Sequence, residues 1–242
     1  MNDQKWEQYG AAAGLIFVIL VVVGALIGGA PPSPDDSLRK IGEYYVDHTN
    51  AIKVGAFLTG LGSFAFLWFL GSVWATLRRS DDTRRLAMIA AGGAIVGLIF
   101  ALSGIALNAT LAVSVDSGRD AVQFVNPKFI YLLSGVIAGM GNFGIAVFVA
   151  AVGVAAFRTR HFPTALGWAS LVIALGWIVA GLIVVTDAAA IFAIGFIMFL
   201  VWLVWVLVLC FFLYRPPTEE ADAPVSPAPS TSSTVGSEQR DA

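Results

Sequence analysis

Long uninterrupted runs of apolar residues dominate the chain, and short polar segments separate them. The first run, 10–29, contains no charged residue over 20 positions. As a helix rising about 1.5 Å per residue, a run of this length matches a bilayer core of roughly 30 Å. A cleaved signal peptide is the alternative interpretation, because small residues end the run at Ala30. The run is longer than the roughly 7 to 15 apolar residues of a signal sequence, so it predicts a retained spanning helix.

Five further runs pass the same test of length and low charge, so the pattern predicts six spans. The last two belong to one apolar stretch of about 50 residues, which is too long for a single crossing of a normal bilayer. We place the break between them at Thr186 and Asp187. The predicted fold class is therefore an all-α membrane helical bundle. Its expected spans are 10–29, 51–77, 86–113, 129–157, 164–186 and 188–214.

Composition supports lipid as the solvent of this chain. Of its 242 residues, 58% are hydrophobic and only 12% are charged, whereas soluble domains carry roughly 25% charged residues. A net charge of −2 argues against nucleic acid as a partner, because a duplex binder needs a concentrated basic patch. The single cysteine, Cys210, excludes an internal disulfide framework.

The short connections between spans predict the orientation. Lys and Arg are retained on the cytoplasmic side, and two short connections are basic, 78–85 with four arginines and 158–161 with two arginines and a histidine. The longer connections, 30–50 and 114–128, mix both signs of charge and fit the outside. The expected location is the plasma (cytoplasmic) membrane.

Six spans then place both termini in the cytoplasm, as an N-terminal segment, 1–9, and a tail, 215–242. The tail is rich in Pro, Ser, Thr, Ala and acidic residues and has almost no large apolar side chains. Burial cannot offset the entropy of ordering such a segment, so we expect a disordered tail.

Alignment of the sequence with itself at an offset of 80 residues indicates an internal repeat. At this offset the aligned polar residues keep the same spacing without gaps. This predicts that one helical hairpin occurs repeatedly along the chain. The aligned positions are 36–39 with 116–119, Gly24 with Gly104, and Gly55 with Gly135.

The first long connection also predicts a short interfacial helix. Ser37 is a plausible N-cap, and Leu38, Ile41 and Tyr45 fall on one face at helical spacing. The aligned segment 117–125 has a similar pattern. Two interpretations stay open, a helix lying passively on lipid headgroups and a lid over an entrance.

Small residues predict where the helices pack. At 100° per residue, Gly93, Gly97 and Gly104 form one stripe on the third span together with Asn108. Small residues at this spacing let backbones approach closely in a membrane. The predicted packing residues are Gly93, Gly97, Gly104, Gly135 and Gly139.

Four polar residues are candidates for a site. Asn142 falls near the middle of the fourth span and Asn108 toward the outer end of the third, while Asp116 and Asp187 are expected near the outer surface. An amide in hydrocarbon must find a partner, so both asparagines should face the interior. One hypothesis makes the four residues the lining of an outward-opening polar vestibule. The other makes the amides structural contacts between helices and the aspartates turn or cap residues.

The sequence offers little for catalysis. His48 and His161 are expected on opposite sides of the membrane, so they cannot be paired ligands of one haem. Phosphate-binding glycine loops, paired catalytic carboxylates and zinc-protease motifs do not occur in it. We therefore expect no enzymatic activity, no cofactor and no metal site.

The connector 158–168, RTRHFPTALGW, resembles the Arg-x-x-x-x-Pro-x-x-Leu-Gly-Trp connector of bacterial six-helix integral membrane families of unknown function. The outer segment 34–45 is similar to segments of such proteins in GC-rich Gram-positive bacteria. The resemblance covers roughly residues 8–214. It implies a bacterial cytoplasmic membrane location and adds no reaction, substrate or catalytic residue.

These patterns predict an integral plasma-membrane protein with a structural, sensory or accessory role. Its expected partners are the lipid bilayer and either another membrane protein or a second copy of the chain. The alternative is a small-solute permease or channel-like transporter with the vestibule described above. An internal polar cavity open to one side would distinguish the two.

Overall fold

The structure, a computed structural model, describes residues 3–116, 126–159, 162–186 and 189–214. The secondary structure of these ranges consists of helices and turns, without a strand. The helices are α1 (Asp3–Gly28), α2 (Leu38–Asp47), α3 (Thr49–Leu77), α4 (Arg84–Asp116), α5 (Pro127–Arg158), α6 (Thr164–Ala180) and α7 (Ala189–Tyr214), with short 3₁₀ segments at Asp81–Thr83 and Gly181–Val184.

Six of these helices, all except α2, are long and apolar enough to cross a membrane. The predicted all-α bundle of six apolar spans is confirmed, and the chain is a multi-pass membrane protein. Helix α1 begins at Asp3, seven residues before the predicted span at 10, because the helix continues into the polar segment that precedes the apolar run.

The end of the fifth span differs from its predicted position at 186. Helix α6 ends at Ala180, with Gly181 as its C-cap, and a 3₁₀ segment continues to Val184. The tighter 3₁₀ geometry is frequent at the C-terminal end of α-helices, and here it begins at Gly181, a residue of low helix propensity. Asp187, where we placed the break, lies outside the described residues.

The six long helices contact one another in a closed ring. Helix α1 packs on α3, α3 on α4, α4 on α5, α5 on α6 and α6 on α7, and α7 returns to contact α1. The most extensive of these contacts are α4 with α5 and α1 with α3. Helix α2 lies across one end of the ring, where it contacts α3, α4 and α5.

The core fills the ring unevenly. Among the described residues of α7, those that are buried all lie between Trp202 and Leu213, and those from 190 to 201 are half-buried or exposed. The filled half is the end away from α2, where Leu77 of α3 and Ala155 of α5 are buried. The half of α7 toward α2 is therefore packed more loosely than its other half.

Helix α2 has a small core of its own. Ile41 and Tyr45 are buried there with Leu111 and Ala112 of α4 and Tyr131 of α5. Helix α2 is therefore packed against the end of the bundle. A helix lying passively on lipid headgroups would not make these contacts.

Local details of α2 agree only in part with the prediction. Ser37 is confirmed as its N-cap, since its Oγ accepts a hydrogen bond from the Lys40 amide at 3.3 Å. On the predicted apolar face, Ile41 and Tyr45 are buried, whereas Leu38, in the first turn, is 49% exposed. The aligned segment 117–125 lies outside the described residues.

Candidate functional site

A chain of side-chain hydrogen bonds joins α2, α4 and α5 at the α2 end of the bundle. The Tyr45 hydroxyl donates to Oδ1 of Asn108. Nδ2 of Asn108 donates to Oγ of Ser134 at 2.7 Å and to the carbonyl oxygen of Gly104 at 3.1 Å. The Ser134 hydroxyl in turn donates to the carbonyl oxygen of Tyr131 at 2.6 Å. Both ends of the Asn108 amide are therefore satisfied, as burial away from water requires.

Gly104 makes this arrangement possible. A Cβ added at Gly104 would lie 2.7 Å from the carbonyl oxygen of Ser134, so α4 and α5 approach each other almost backbone to backbone. Asn108 lies one helical turn further along α4, on the same face as Gly104. Its short side chain can therefore reach Ser134 across the gap.

Further bonds fasten the segment that precedes α2. The Tyr131 hydroxyl donates to the carbonyl oxygen of Pro32 at 2.6 Å, and the Tyr44 hydroxyl donates to that of Gly28 at 2.9 Å. Nζ of Lys128 donates to the carbonyl oxygen of Asp36 at 3.0 Å. The segment from the end of α1 to the start of α2 is thus held to α5 at two points.

Asp36 and Tyr45 are among the ionisable groups of this region whose pKa values are shifted. The ammonium group of Lys40, 2.8 Å from Oδ1 of Asp36, and the backbone amide of Ser33 lower the pKa of the Asp36 carboxyl. Burial raises the pKa of the Tyr45 hydroxyl, and the neighbouring Tyr131 adds to the effect. Tyr45 is therefore held in its neutral form, in which it can donate to Asn108.

Asn142 does not belong to this cluster. It lies eight residues beyond Ser134 on α5, which is about 12 Å along the helix axis. Its side chain is half-buried and makes no hydrogen bond to another described residue. The structure thus separates the two asparagines that we expected to line one vestibule.

The two aspartates of the expected vestibule cannot be placed against it. Asp116 is the last residue of α4, and its side chain lies outside the described part of the chain. Asp187 lies outside the described residues altogether. Of the four expected residues, Asn108 is the one found in a bonded polar cluster.

The predicted glycine stripe on α4 faces α5. A Cβ at Gly93 would lie 2.7 Å from the carbonyl oxygen of Gly144, and one at Gly97 would lie 2.6 Å from Cδ1 of Ile145. The reciprocal glycines on α5 are Gly141 and Gly144, which the sequence analysis did not single out.

Gly135 and Gly139 face a different neighbour. A Cβ at Gly135 would lie 3.4 Å from the ring of Phe192 on α7, and one at Gly139 would meet Ile183 of the 3₁₀ segment. These two glycines therefore serve the contacts of α5 with α6 and α7.

Sequence reasoning missed Ser134, Trp177 and Trp202. A single serine in an apolar helix gives no specific signal, because it commonly bonds to its own backbone. Tryptophans in a spanning helix are equally expected to face lipid or the membrane boundary. What distinguishes these three residues is their neighbours on other helices.

The described residues contain no group of three or more His, Cys, Asp or Glu side chains that could hold a metal ion. What the site provides is a hydrogen-bonded cap at one end of the ring. Comparison with known proteins gives no match to a family model, to a curated protein or to a solved structure.

Proposed function

We propose that the chain is an integral plasma-membrane protein that works without catalysis, as a structural, sensory or accessory component. The observation that carries this proposal is the bonding of Asn108. A polar group that binds a solute must exchange its existing partner for that solute, and breaking a bond to a buried partner costs free energy. The side chain of Asn108 is hydrogen-bonded to both Tyr45 and Ser134, and this bonding supports a structural role.

We propose further that both termini are cytoplasmic. The basic character of the connections 78–85 and 158–161 supports this orientation. Nη1 of Arg158 donates to the carbonyl oxygen of Asp82 at 3.4 Å, so the two basic connections meet at the end of the bundle opposite α2. Arg160 and His161 lie outside the described residues.

The resemblance of the connector 158–168 to bacterial six-helix families also enters as a proposal. Pro163 is the N-cap of α6. Gly167 lies against α5, where an added Cβ would be 3.1 Å from the carbonyl oxygen of Gly153. The Pro and Gly of the motif therefore have local packing roles that a shared fold would retain.

A flux measurement tests the proposed role. The full chain is reconstituted into vesicles, and the permeation of glycerol, urea and K⁺ is compared with that of protein-free vesicles of the same lipid. We expect equal rates for all three solutes. A rate above the protein-free value for any of them would contradict a purely structural, sensory or accessory role.

One observation favours the alternative, a small-solute permease. The side chain of Asn142 is half-buried within a span and makes no hydrogen bond to other described residues. This alternative requires a flux that Asn142→Ala abolishes while the variant folds and unfolds as the parent protein does.

A further inference from the structure

The two basic connections form one exposed surface at the end of the bundle opposite α2, which we call the basic face. Nη1 of Arg158 donates to the carbonyl oxygen of Asp82 at 3.4 Å and so joins the two connections. Five arginines against two aspartates give this surface a net charge of +3. Its described charged side chains are all exposed, and they are Arg78, Arg79, Arg84, Arg85, Arg158, Asp81 and Asp82.

Two of these arginines lack a negatively charged partner. Arg84 and Arg85 form no ion pair with a described residue, although Asp81 and Asp82 precede them directly. Both occupy the first turn of α4, which contains no acidic residue. The N-terminal end of a helix is the positive end of its dipole, so cations are unfavourable there. An anion bound at this turn would offset that cost.

The guanidinium group of Arg78 lies over an aromatic ring. Its Cζ is 4.1 Å from the centroid of the Trp74 ring, one turn earlier in α3, which is a cation–π contact. The contact uses the face of the guanidinium group and leaves the N–H donors in its plane available. Planar, paired N–H donors match two oxygens of a phosphate group. The basic face therefore suits a phosphate better than a single carboxylate-sized ion.

An exposed apolar stripe of α4 continues from the basic face into the membrane. At 100° per residue, its members lie within 40° of Arg85, and they are Ile89, Gly92, Val96 and Ile99. The three larger side chains are 49%, 45% and 57% exposed in that order, and a Cβ added at Gly92 would meet no atom within 4 Å. The stripe extends about 21 Å from Arg85, which exceeds one half of a hydrocarbon core of roughly 30 Å.

This stripe decides between two sources of a phosphate group. A free phosphate ion would contact the arginines alone, whereas a phospholipid would also place an acyl chain along the stripe. The headgroup charge narrows the class of lipid further. A zwitterionic headgroup carries its own cation, so a surface with a charge of +3 favours a headgroup with a net negative charge.

We propose that the basic face binds the headgroup of an anionic phospholipid. The arginines donate hydrogen bonds to the phosphate oxygens, and an acyl chain lies along the exposed stripe of α4. This site goes beyond the proposed accessory role and does not depend on the α2 cap. Solute flux and lipid binding are measured separately, so failure of one proposal is distinguishable from failure of the other.

The competing partner is a segment of the chain itself. The tail follows Tyr214 and carries three acidic residues in the segment 219–222, which lies outside the described residues. Near the end of α7, the Phe212 ring lies 6.4 Å from that of Phe162, measured between centroids. The tail therefore starts close to the second basic connection. Under this account its carboxylates pair with the arginines, and a lipid headgroup must displace them.

Thermal unfolding in a neutral detergent tests the proposal. The full chain is titrated separately with dioleoylphosphatidylglycerol, with dioleoylphosphatidylcholine and with inorganic phosphate. We expect the unfolding temperature to rise and saturate with phosphatidylglycerol only, because a ligand that binds the folded state stabilises it. Raising the salt concentration should weaken this effect, since the arginines are exposed and screened by ions.

Two double variants remove the same charge from opposite ends of the bundle. Arg84→Gln with Arg85→Gln should weaken the apparent affinity for phosphatidylglycerol by about 30-fold, since each basic side chain near an anionic surface contributes about 1 kcal/mol. Arg39→Gln with Lys40→Gln, at two exposed residues of α2, should keep the affinity of the parent protein. Each affinity is read from the shift relative to the variant's own lipid-free unfolding temperature.

The proposal is overturned if phosphatidylcholine or inorganic phosphate raises the unfolding temperature equally. It is also overturned if the variant at 84 and 85 keeps the parent affinity, or if both double variants lose affinity equally. The triple variant Glu219→Gln, Glu220→Gln and Asp222→Asn tests the tail. We expect it to bind phosphatidylglycerol as the parent protein does. An affinity raised by about tenfold or more would show that the tail occupies the arginines, and would contradict the proposed lipid site.

Discussion

The Tyr45 hydroxyl donates a hydrogen bond to the side-chain oxygen of Asn108, across 63 residues of sequence. This bond ties a short amphipathic helix outside the spans to a polar group inside one. Because Asn108 also donates to Ser134, three helices are joined at one amide. The cap formed by α2 is thus part of the folded bundle.

The two asparagines should respond differently to truncation. Asn108→Ala leaves the Tyr45 hydroxyl and the Ser134 oxygen without their partner, and we expect it to lower the free energy of unfolding by about 1–3 kcal/mol. The side chain of Asn142 makes no hydrogen bond to other described residues, so Asn142→Ala should change that free energy by less than about 0.5 kcal/mol. Thermal unfolding in detergent measures both. Equal losses in the two variants would contradict the difference in bonding.

The glycine stripe of α4 offers a matched pair of substitutions on one helix. Gly97→Leu places a large side chain against Ile145 of α5 and should cost roughly 1–3 kcal/mol, as in overpacked cores. Gly92→Leu adds the same side chain at an exposed position, where an added Cβ meets no atom within 4 Å, and should be nearly silent. Similar unfolding temperatures for the two variants in detergent would rule out the close contact of α4 with α5.

Alkaline pH should weaken the cap through Tyr45. Burial raises the pKa of its hydroxyl in the folded protein, whereas an unfolded tyrosine ionises near about 10. The stabilisation by the neutral hydroxyl is therefore complete below pH 10 and is lost as the pH rises above that value. We measure the free energy of unfolding of the parent protein and of Tyr45→Phe between pH 8 and 11. The difference in favour of the parent protein should shrink above about pH 10. A constant difference in free energy of unfolding throughout this range would show that Tyr45 does not titrate in this way.

The orientation can be measured with reporter fusions. Fusions after residues 82 and 161 should be active with a cytoplasmic reporter, because basic connections are retained on that side. A fusion after residue 35 serves as the control and should be active with a periplasmic reporter. A periplasmic signal after 82 or 161 would overturn the proposed orientation.

The sequence predicted the features of this fold that depend on local chemistry. Six spans follow from apolar length, and Ser37 as an N-cap follows from its place before an amphipathic segment. The helix end at Ala180 was missed, because an apolar run continues past it and hydropathy alone does not detect the change from α to 3₁₀ geometry.

Features that depend on which helix faces which could not be predicted in the same way. Asn108 was expected to face the interior, but its partners Tyr45 and Ser134 are set by how α2, α4 and α5 meet. The unpaired indoles of Trp177 and Trp202 are likewise a property of neighbours on other helices.

The internal repeat stays a prediction, because the aligned glycines make only partly similar helix contacts. A Cβ at Gly24 would lie 3.0 Å from the carbonyl oxygen of Gly55, where α1 meets α3. At the aligned positions, Gly104 of α4 meets Ser134, the residue before Gly135 of α5. Gly55 therefore contacts α1, whereas its aligned residue Gly135 faces Phe192 of α7, so the two aligned glycines do not make equivalent contacts.

A double-mutant cycle on Tyr45 and Asn108 tests most directly that the polar cluster at the α2 end is a structural fastening. Unfolding free energies are measured for the parent protein, Tyr45→Phe, Asn108→Ala and the double variant under the same detergent conditions. We predict a coupling of about 0.5–1.5 kcal/mol, with the double variant less destabilised than the sum of the single variants. Additive effects within about 0.3 kcal/mol would mean that the two side chains do not stabilise each other, and would contradict the account of the cap.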